Sequence, residues 1–242
     1  MQRYLRLILT IMAAIPAGSS AQTPPPAIEG PVYVATYVEV VPTAADEGAA
    51  LLKQYRDASR KDAGNQRMEL VQELGRPSRF AVLAIWADQK AFDLHAKTAL
   101  RDKLRAVQAA PYDERVHSGL AVGARDALRR GSVVVLTHVD VPPPFKDTTI
   151  SLLQQLAEAS RKEAGNQRFE VQQQGNRPNH FTVVEIWADK KAYDAHVMAG
   201  HTRLFRDKLG PIGIGALIIL LLARLACCAT DILHFRNSHV NT

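Results

Sequence analysis

The chain has 242 residues, 47% of them hydrophobic and 22% charged, with a formal net charge of +6. That length and composition leave room for two compact globular domains and exclude a disordered chain. Acidic and basic residues alternate, as in DASRKD from Asp57 and FRDKL from Phe205, which marks solvated helix faces rather than a basic stripe for nucleic acid.

Residues 1–21 open with Arg3 and Arg6, continue through an apolar run from Leu7 to Ala17 and end in small residues. This pattern predicts a signal peptide cleaved after Ala21, and so an exported protein, periplasmic or secreted. Residues 22–31, with three consecutive prolines, form an exposed leader. Val32 to Val41 reads as a strand stopped by Pro42. Leu51, Leu52, Tyr55 and Ala58 fall at helical spacing within a helix from Ala44 to Ala63, which Gly64-Asn65 ends. Arg67 to Leu74 is a second strand, Gly75 to Ser78 a turn, and Phe80 to Trp86 a third strand. That strand is apolar at every position, so both of its faces are buried. A helix from Asp88 to about Ala106 and a strand from Tyr112 to Val122 complete the order strand, helix, strand, strand, helix, strand, which is the ferredoxin-like unit.

The stretch Ala58 to His95 then returns as Ala159 to His196, at a constant spacing of 101 residues. Residues 123–131 are the linker. The second copy predicts strands at 133–141, 169–174 and 180–187 and helices at 148–164 and 189–209, with a turn at Arg177-Pro178. Around His201 it is four residues longer, which predicts one extra helical turn. The fold class is therefore α+β, with two tandem ferredoxin-like (βαββαβ) modules at 32–122 and 132–209 that pair within the chain.

Residues 210–242 break the parallel. From Ile212 to Ala229 the sequence is apolar apart from Arg224, and it contains the chain's two cysteines, Cys227 and Cys228. The modules themselves thus offer neither a disulfide nor a thiolate metal site. One reading of residues 212–229 is a membrane helix that would tether the exported chain. The other is a reading frame shifted after Leu217, which replaces a closing strand like the one at Tyr112. The second is preferred, because a duplicated sheet without its last strand leaves an apolar edge open.

The third strand ending in Trp187, followed by ADKKAYDAH and a helix ending in FRDKL, resembles the antibiotic biosynthesis monooxygenase (ABM) domain family of the dimeric α+β barrel superfamily. The resemblance implies that the two modules build within one chain a barrel that relatives build from two. It also implies oxidation of an activated phenol by molecular oxygen, without metal or flavin, in a water-excluding pocket that binds a small hydrophobic aromatic ligand. Carried over by position, it assigns the pocket to Trp187 and Tyr193, with Arg206 near the place of a helix arginine. The family branch's Asn is absent, since position 183 is Val, and copy one has Trp86 with Val82 and Phe92.

The residues themselves direct attention to copy two. His138 stands where copy one has Tyr37, Glu185 where it has Ala84, and His201 lies in the insertion. A carboxyl beside an indole would be desolvated and suited to a general base, and His196 offers the same chemistry nearer neutral pH. The candidate catalytic set is Trp187, Tyr193, His196 and Glu185; the candidate substrate-binding set is Trp86, His95, His138, His201 and Arg206. Each has a plainer reading: the two tryptophans as core, His95 and His196 as structural hydrogen-bonding groups, Glu185 as the partner of a Lys or Arg across the sheet. The Gly64 and Gly165 blocks read as helix stops before a strand. The resulting expectation is an exported monooxygenase acting on a small quinol or polyketide-like substrate with no cofactor. The alternatives are a haem-binding or haem-degrading protein using His196 or His201, and a non-catalytic ligand-binding module.

Overall fold

The structure is a computed structural model that describes residues 28–96, 106–111, 113–123, 128–212 and 216–224. The expected signal peptide, most of the leader, the distal part of the first module's second helix, residues 124–127 of the linker and the tail beyond Arg224 lie outside the described residues. The first module comprises β1 (Val32–Glu39), α1 (Ala45–Ser59), β2 (Asn65–Glu73), β3 (Arg79–Trp86), α2 (Gln89–His95) and β4 (Asp113–Ala121). The second comprises β5 (Val133–Asp140), α3 (Lys146–Ser160), β6 (Asn166–Gln174), β7 (His180–Trp187), α4 (Lys190–Met198), α5 (Gly200–Leu209) and β8 (Ala216–Arg224).

The strands close into one barrel in the order β1-β3-β2-β8-β5-β7-β6-β4. Each module's last strand pairs with its own first strand and then crosses to the other module, β4 to β6 and β8 to β2. The two seams are related as the two halves of an isologous interface are, so the pair of ferredoxin-like units behaves as a covalently joined dimer.

Two sequence expectations change here. Residues 216–224 are a strand and not part of a membrane helix: they pair with β5 from Ala216 opposite Asp140 to Ala223 opposite Val133. The apolar run supplies what the seam requires, and Leu222 is buried. This closure also removes the open edge on which the frame-change reading rested. Among the described residues no helix is long and apolar enough to cross a membrane. The second change concerns 189–209, which is two helices. Ala199 is extended (φ −63°, ψ 146°), so the four extra residues make a corner and do not lengthen the helix.

Side chains alternate between the barrel interior and the helix layers. Ala35, Val71, Ala81, Leu83, Val134, Leu136, Val184, Ile186 and Leu222 form the interior core, joined by Leu128 from the linker. Phe80, Val82, Ala84 and Trp86 face α1 and α2, and Phe181, Val183 and Trp187 face the helices of the second module. Polar groups also enter the interior. Arg67 donates to Glu170 Oε2 at 2.8 Å, and Arg168 donates to Glu69 Oε2 at 2.7 Å. These are one contact repeated by the 101-residue symmetry, spanning from β2 to β6 on opposite sides of the barrel. All four side chains are nearly buried.

Elsewhere in the interior, His117 donates from Nδ1 to the Tyr33 carbonyl (3.3 Å) and accepts at Nε2 from the Thr182 hydroxyl (2.9 Å). That hydroxyl oxygen accepts in turn from His138 Nδ1 (3.0 Å). Both imidazoles are therefore satisfied as neutral rings. Burial pushes His117 down to about 4 and His138 down to about 3 from an ordinary value of 6.5.

Two predictions follow from these buried groups. Glu170→Ala strips Arg67 of its nearest carboxylate and is expected to lower the unfolding free energy by about 3 kcal/mol, whereas the paired replacement Arg67→Met/Glu170→Met recovers most of it in urea unfolding. For the histidines, the unfolded chain takes up protons near pH 6.5 while the folded rings stay neutral to about pH 4 and about pH 3. Stability is therefore complete above pH 6.5 and falls as pH drops below it, by about 2 kcal/mol per ring at pH 5. His117→Leu, which copies Leu222 at the matching register, makes that fall shallower by about the same amount.

Candidate active site

Local sequence builds the site twice, and the two versions differ. In each copy the third strand ends in Trp, and the Asp two residues on caps the next helix. Asp88 Oδ1 accepts from Ala91 N and Asp189 Oδ1 from Ala192 N, both at 2.8 Å. The cap fixes the helix start, so His95 and His196 come to lie against the indoles. Ring centroids are 4.4 Å apart for Trp86 and His95 and 4.6 Å for Trp187 and His196. The loop after the first helix of each module supplies the next group. Gly64 and Gly165 both have φ +83°, and a Cβ at either would meet Ala91 or Ala192 at about 2.5 Å. Only glycine lets the loop lie this close to the helix, and it carries Asp62 and Glu163 to the histidines. Asp62 Oδ2 is 2.8 Å from His95 Nδ1, and Glu163 Oε1 is 2.6 Å from His196 Nδ1.

In copy one the second ring nitrogen is closed off, since Tyr55 OH lies 2.6 Å from His95 Nε2. The histidine has a partner at each nitrogen and no role is left over. In copy two the Tyr55 position is Leu156 and the Ala84 position is Glu185. His196 Nε2 therefore faces Glu185 Oε2 at 3.5 Å, and Glu185 Oε2 accepts from the Trp187 indole at 3.0 Å. Shortening Tyr to Leu also leaves a cavity of about 220 Å³ between the sheet and α3, α4 and α5. Thr137, Val139, Leu156, Val183, Tyr193, Phe205 and Leu209 form most of its wall, with Glu185, His196, Thr202 and Arg206 as its other polar groups. Cavities of roughly 150 Å³ hold benzene, so this one suits one or two fused rings.

Burial dominates the electrostatics. It pushes Glu185 up to about 7, against the indole hydrogen bond and Arg206, which pull it down. Burial also lowers His196, although the Glu163 hydrogen bond acts to raise it, and it raises the Tyr193 phenol to about 12. Near neutral pH the site thus holds a neutral imidazole whose Nδ1–H donates to Glu163, and a carboxyl that can release or accept a proton.

The structure brings together Trp187, Tyr193, His196, Glu185 and Arg206 of the sequence-based candidates, with His201 at the edge, where its Nε2 is 2.8 Å from Glu163 Oε1. It does not bring in three others. His138 points into the barrel, on the opposite face of β5 from the cavity wall, because strand alternation puts Thr137 and Val139 there. Trp86 and His95 belong to the helix–sheet core of copy one. No Lys or Arg lies across the sheet from Glu185, whose neighbours in register are Val135 and Phe169. Sequence reasoning missed Glu163, Thr202 and the vacated Tyr position at Leu156. Aligning the copies shows the Asp-to-Glu and Tyr-to-Leu changes, but their meaning depends on the contacts.

The family model for antibiotic biosynthesis monooxygenase matches residues 31–109 and again 132–208, more than half of the chain. The chain belongs to this family. A Bacillus subtilis (strain 168) relative named "Putative monooxygenase YcnE" is 28% identical over 76 residues, covering 31% of this chain and 80% of its own length. Among solved family-like structures, a "putative monooxygenase" from Fusobacterium nucleatum superposes with a TM-score of 0.72 at 14% identity, covering 81% of this chain and 93% of the other. Another so described, from Lactobacillus acidophilus NCFM, gives 0.67 at 14% identity over 81% and 94%. An "anthrone oxidase-like protein" gives 0.63 at 10% identity over 81% and 92%. These superpositions cover both ABM modules and show that the whole barrel is shared.

If Leu156 creates the cavity, Leu156→Tyr is expected to refill it, placing a hydroxyl at His196 Nε2 as in copy one. Melting temperature should stay level or rise, while binding of a hydroxynaphthalene, followed by quenching of tryptophan fluorescence, should weaken at least tenfold, about 1.4 kcal/mol.

Proposed function

We propose that the chain is an exported monooxygenase that oxidises a phenol or quinol of one or two rings with molecular oxygen and without a redox cofactor. The single observation that carries this reading is the placement of Glu185 beside the Trp187 indole at the wall of a cavity with a few polar groups among apolar ones. Its support in kind comes from family membership and from the "anthrone oxidase-like" relative, although this cavity suits a smaller substrate than an anthrone. The export part rests on residues 1–21 alone.

In this reaction Glu185 takes the phenolic proton, and His196 Nε2 is within reach to share it. The resulting anion, electron-rich at its ortho and para carbons, transfers one electron to oxygen and then reacts at one of these that carries hydrogen. The radical pair then joins carbon to oxygen and gives a peroxide anion. Return of the proton makes the hydroperoxide, and loss of water from the C–H and O–OH bonds leaves a carbonyl. Oxygen takes up four electrons, all from the substrate, with one atom retained and one released as water. Tyr193 and Arg206 would orient the substrate oxygen, and the Phe205 and Leu209 side of the cavity would keep water from the carbanion. No observation favours a haem reading over this one, since His196 faces a carboxylate at each nitrogen and His201 faces Glu163.

Oxygen uptake by the chain with a panel of naphthols and hydroquinones should exceed that of Trp187→Phe/Tyr193→Phe, with autoxidation cancelling between the two proteins. Glu185→Gln should lower kcat at least ~100-fold with KM changed much less. Equal uptake by all three proteins across the panel would leave the chain a binding module.

A further inference from the structure

Outside the proton-transfer pair, Glu163 and His201 have no place in the reading above, yet they converge with His196 on one point. We infer that Glu163, His196 and His201 hold a zinc ion at the mouth of the copy-two cavity. One ligand atom from each of the three lies within 4.8 Å of the others, and Glu163 Oε1 is 2.6 Å from His196 Nδ1 and 2.8 Å from His201 Nε2. They come from three separate places, the loop after α3, the last turn of α4 and the first turn of α5. The corner at Ala199 is what turns His201 back toward the other two.

The comparison between copies argues that this is more than a hydrogen-bonded pair. In copy one, Asp62 and His95 suffice to orient the ring, and among the described residues no third ligand joins them; in sequence the insertion that carries His201 has no counterpart. Copy two adds that residue and lengthens the acid to Glu163. A single carboxylate oxygen then serves two imidazoles, at 2.6 and 2.8 Å. Two imidazoles and one carboxylate with an open fourth position make a zinc set, whereas magnesium and calcium prefer all-oxygen sites. Zinc–ligand bonds of about 2.0–2.1 Å in a tetrahedron place ligand atoms roughly 3.3 Å apart. The carboxylate oxygen has to draw back from the rings by roughly 0.5–0.7 Å, and the two imidazole nitrogens have to close by up to about 1.5 Å.

The surroundings suit a ligated imidazole. His196 is held flat on Trp187, Thr202 Oγ1 lies 3.3 Å from its Nδ1, and its other nitrogen faces Glu185. With Nδ1 on the metal, Nε2 carries the hydrogen and donates toward that carboxylate, the usual arrangement behind a zinc-bound histidine. His201, 30% exposed, leaves the outer side open to water or to a ligand oxygen. With zinc bound, His196 Nε2 already carries a hydrogen, so Glu185 alone would take the phenolic proton; metal binding itself is measured without substrate or oxygen.

The test is titration of the full, metal-stripped chain with cobalt(II), followed by competition with zinc. The expected result is one equivalent of cobalt with the intense visible absorption of a four-coordinate site, displaced by zinc. Glu163→Gln and His201→Ala should each weaken binding at least tenfold, while His95→Ala in copy one leaves it unchanged. His201→Cys restores a ligand and should recover cobalt binding with an added thiolate charge-transfer band, which separates loss of a ligand from loss of fold. Weak six-coordinate cobalt only, or binding of equal strength in His201→Ala, would overturn the assignment; the latter would move the metal to other histidines, such as His234 and His239.

Discussion

The molecule is arranged around two buried ion pairs that cross the barrel, Arg67 with Glu170 and Arg168 with Glu69. Four charges in a low-dielectric interior are tolerable only if each meets its partner, and each partner belongs to the other module. Neither module can bury its arginine and its glutamate alone with these contacts. The pairs therefore specify how the halves face each other, much as a polar residue in a coiled coil specifies register. With the halves fixed, β4 and β8 find the opposite module's edge, the barrel closes, and the helix layers are left on the outside.

Within the interior the two ion pairs repeat residue for residue, whereas their surroundings do not: Tyr37 is matched by His138, Ala81 by Thr182 and His117 by Leu222. The helix–sheet layers keep most of their apolar residues, such as Phe80 and Phe181 or Trp86 and Trp187, and change at a few positions. Copy one keeps Tyr55, His95 and Asp62 as a closed, satisfied chain of hydrogen bonds stacked on Trp86. Copy two replaces the tyrosine by Leu156, introduces Glu185 and inserts His201, which converts the same scaffold into a cavity with polar groups at one end. A duplicated barrel can accept such changes because copy one retains the packing that copy two no longer provides.

Much of this was legible in the sequence. The 101-residue repeat, the periodicities and the glycine stops gave both modules and their order. Strands apolar on both faces announced a sheet covered on each side, and the contrast at Glu185 and His201 pointed to copy two. What was not legible follows from physical causes. The run 216–224 is as apolar as a membrane segment, and composition alone does not separate a strand at the seam of a covered barrel from a membrane helix. His138 was misplaced because substitution between copies identifies a changed residue but not which face of its strand is the pocket. The four-residue insertion was read as a helical turn because 3.6 residues make one, whereas Ala199 adopts an extended conformation that no pattern around it signals. Arg67 and Arg168 were hidden within blocks whose glycines drew the attention to turn geometry.

The strand order has a further consequence for how the chain comes into being. β8 is the last described element to leave the ribosome, yet it lies between β5 and β2, and it joins Val71 to Arg224 across most of the sequence. Until it emerges, the first module's β2 and the second module's β5 each expose an unpaired edge lined with apolar side chains. Contacts of such sequence separation form slowly, so a nascent chain passes through an interval in which those edges can pair with another copy. A protein that joins two ferredoxin-like halves in one chain thereby exchanges the problem of finding a partner for the problem of waiting for a strand made late in its own synthesis.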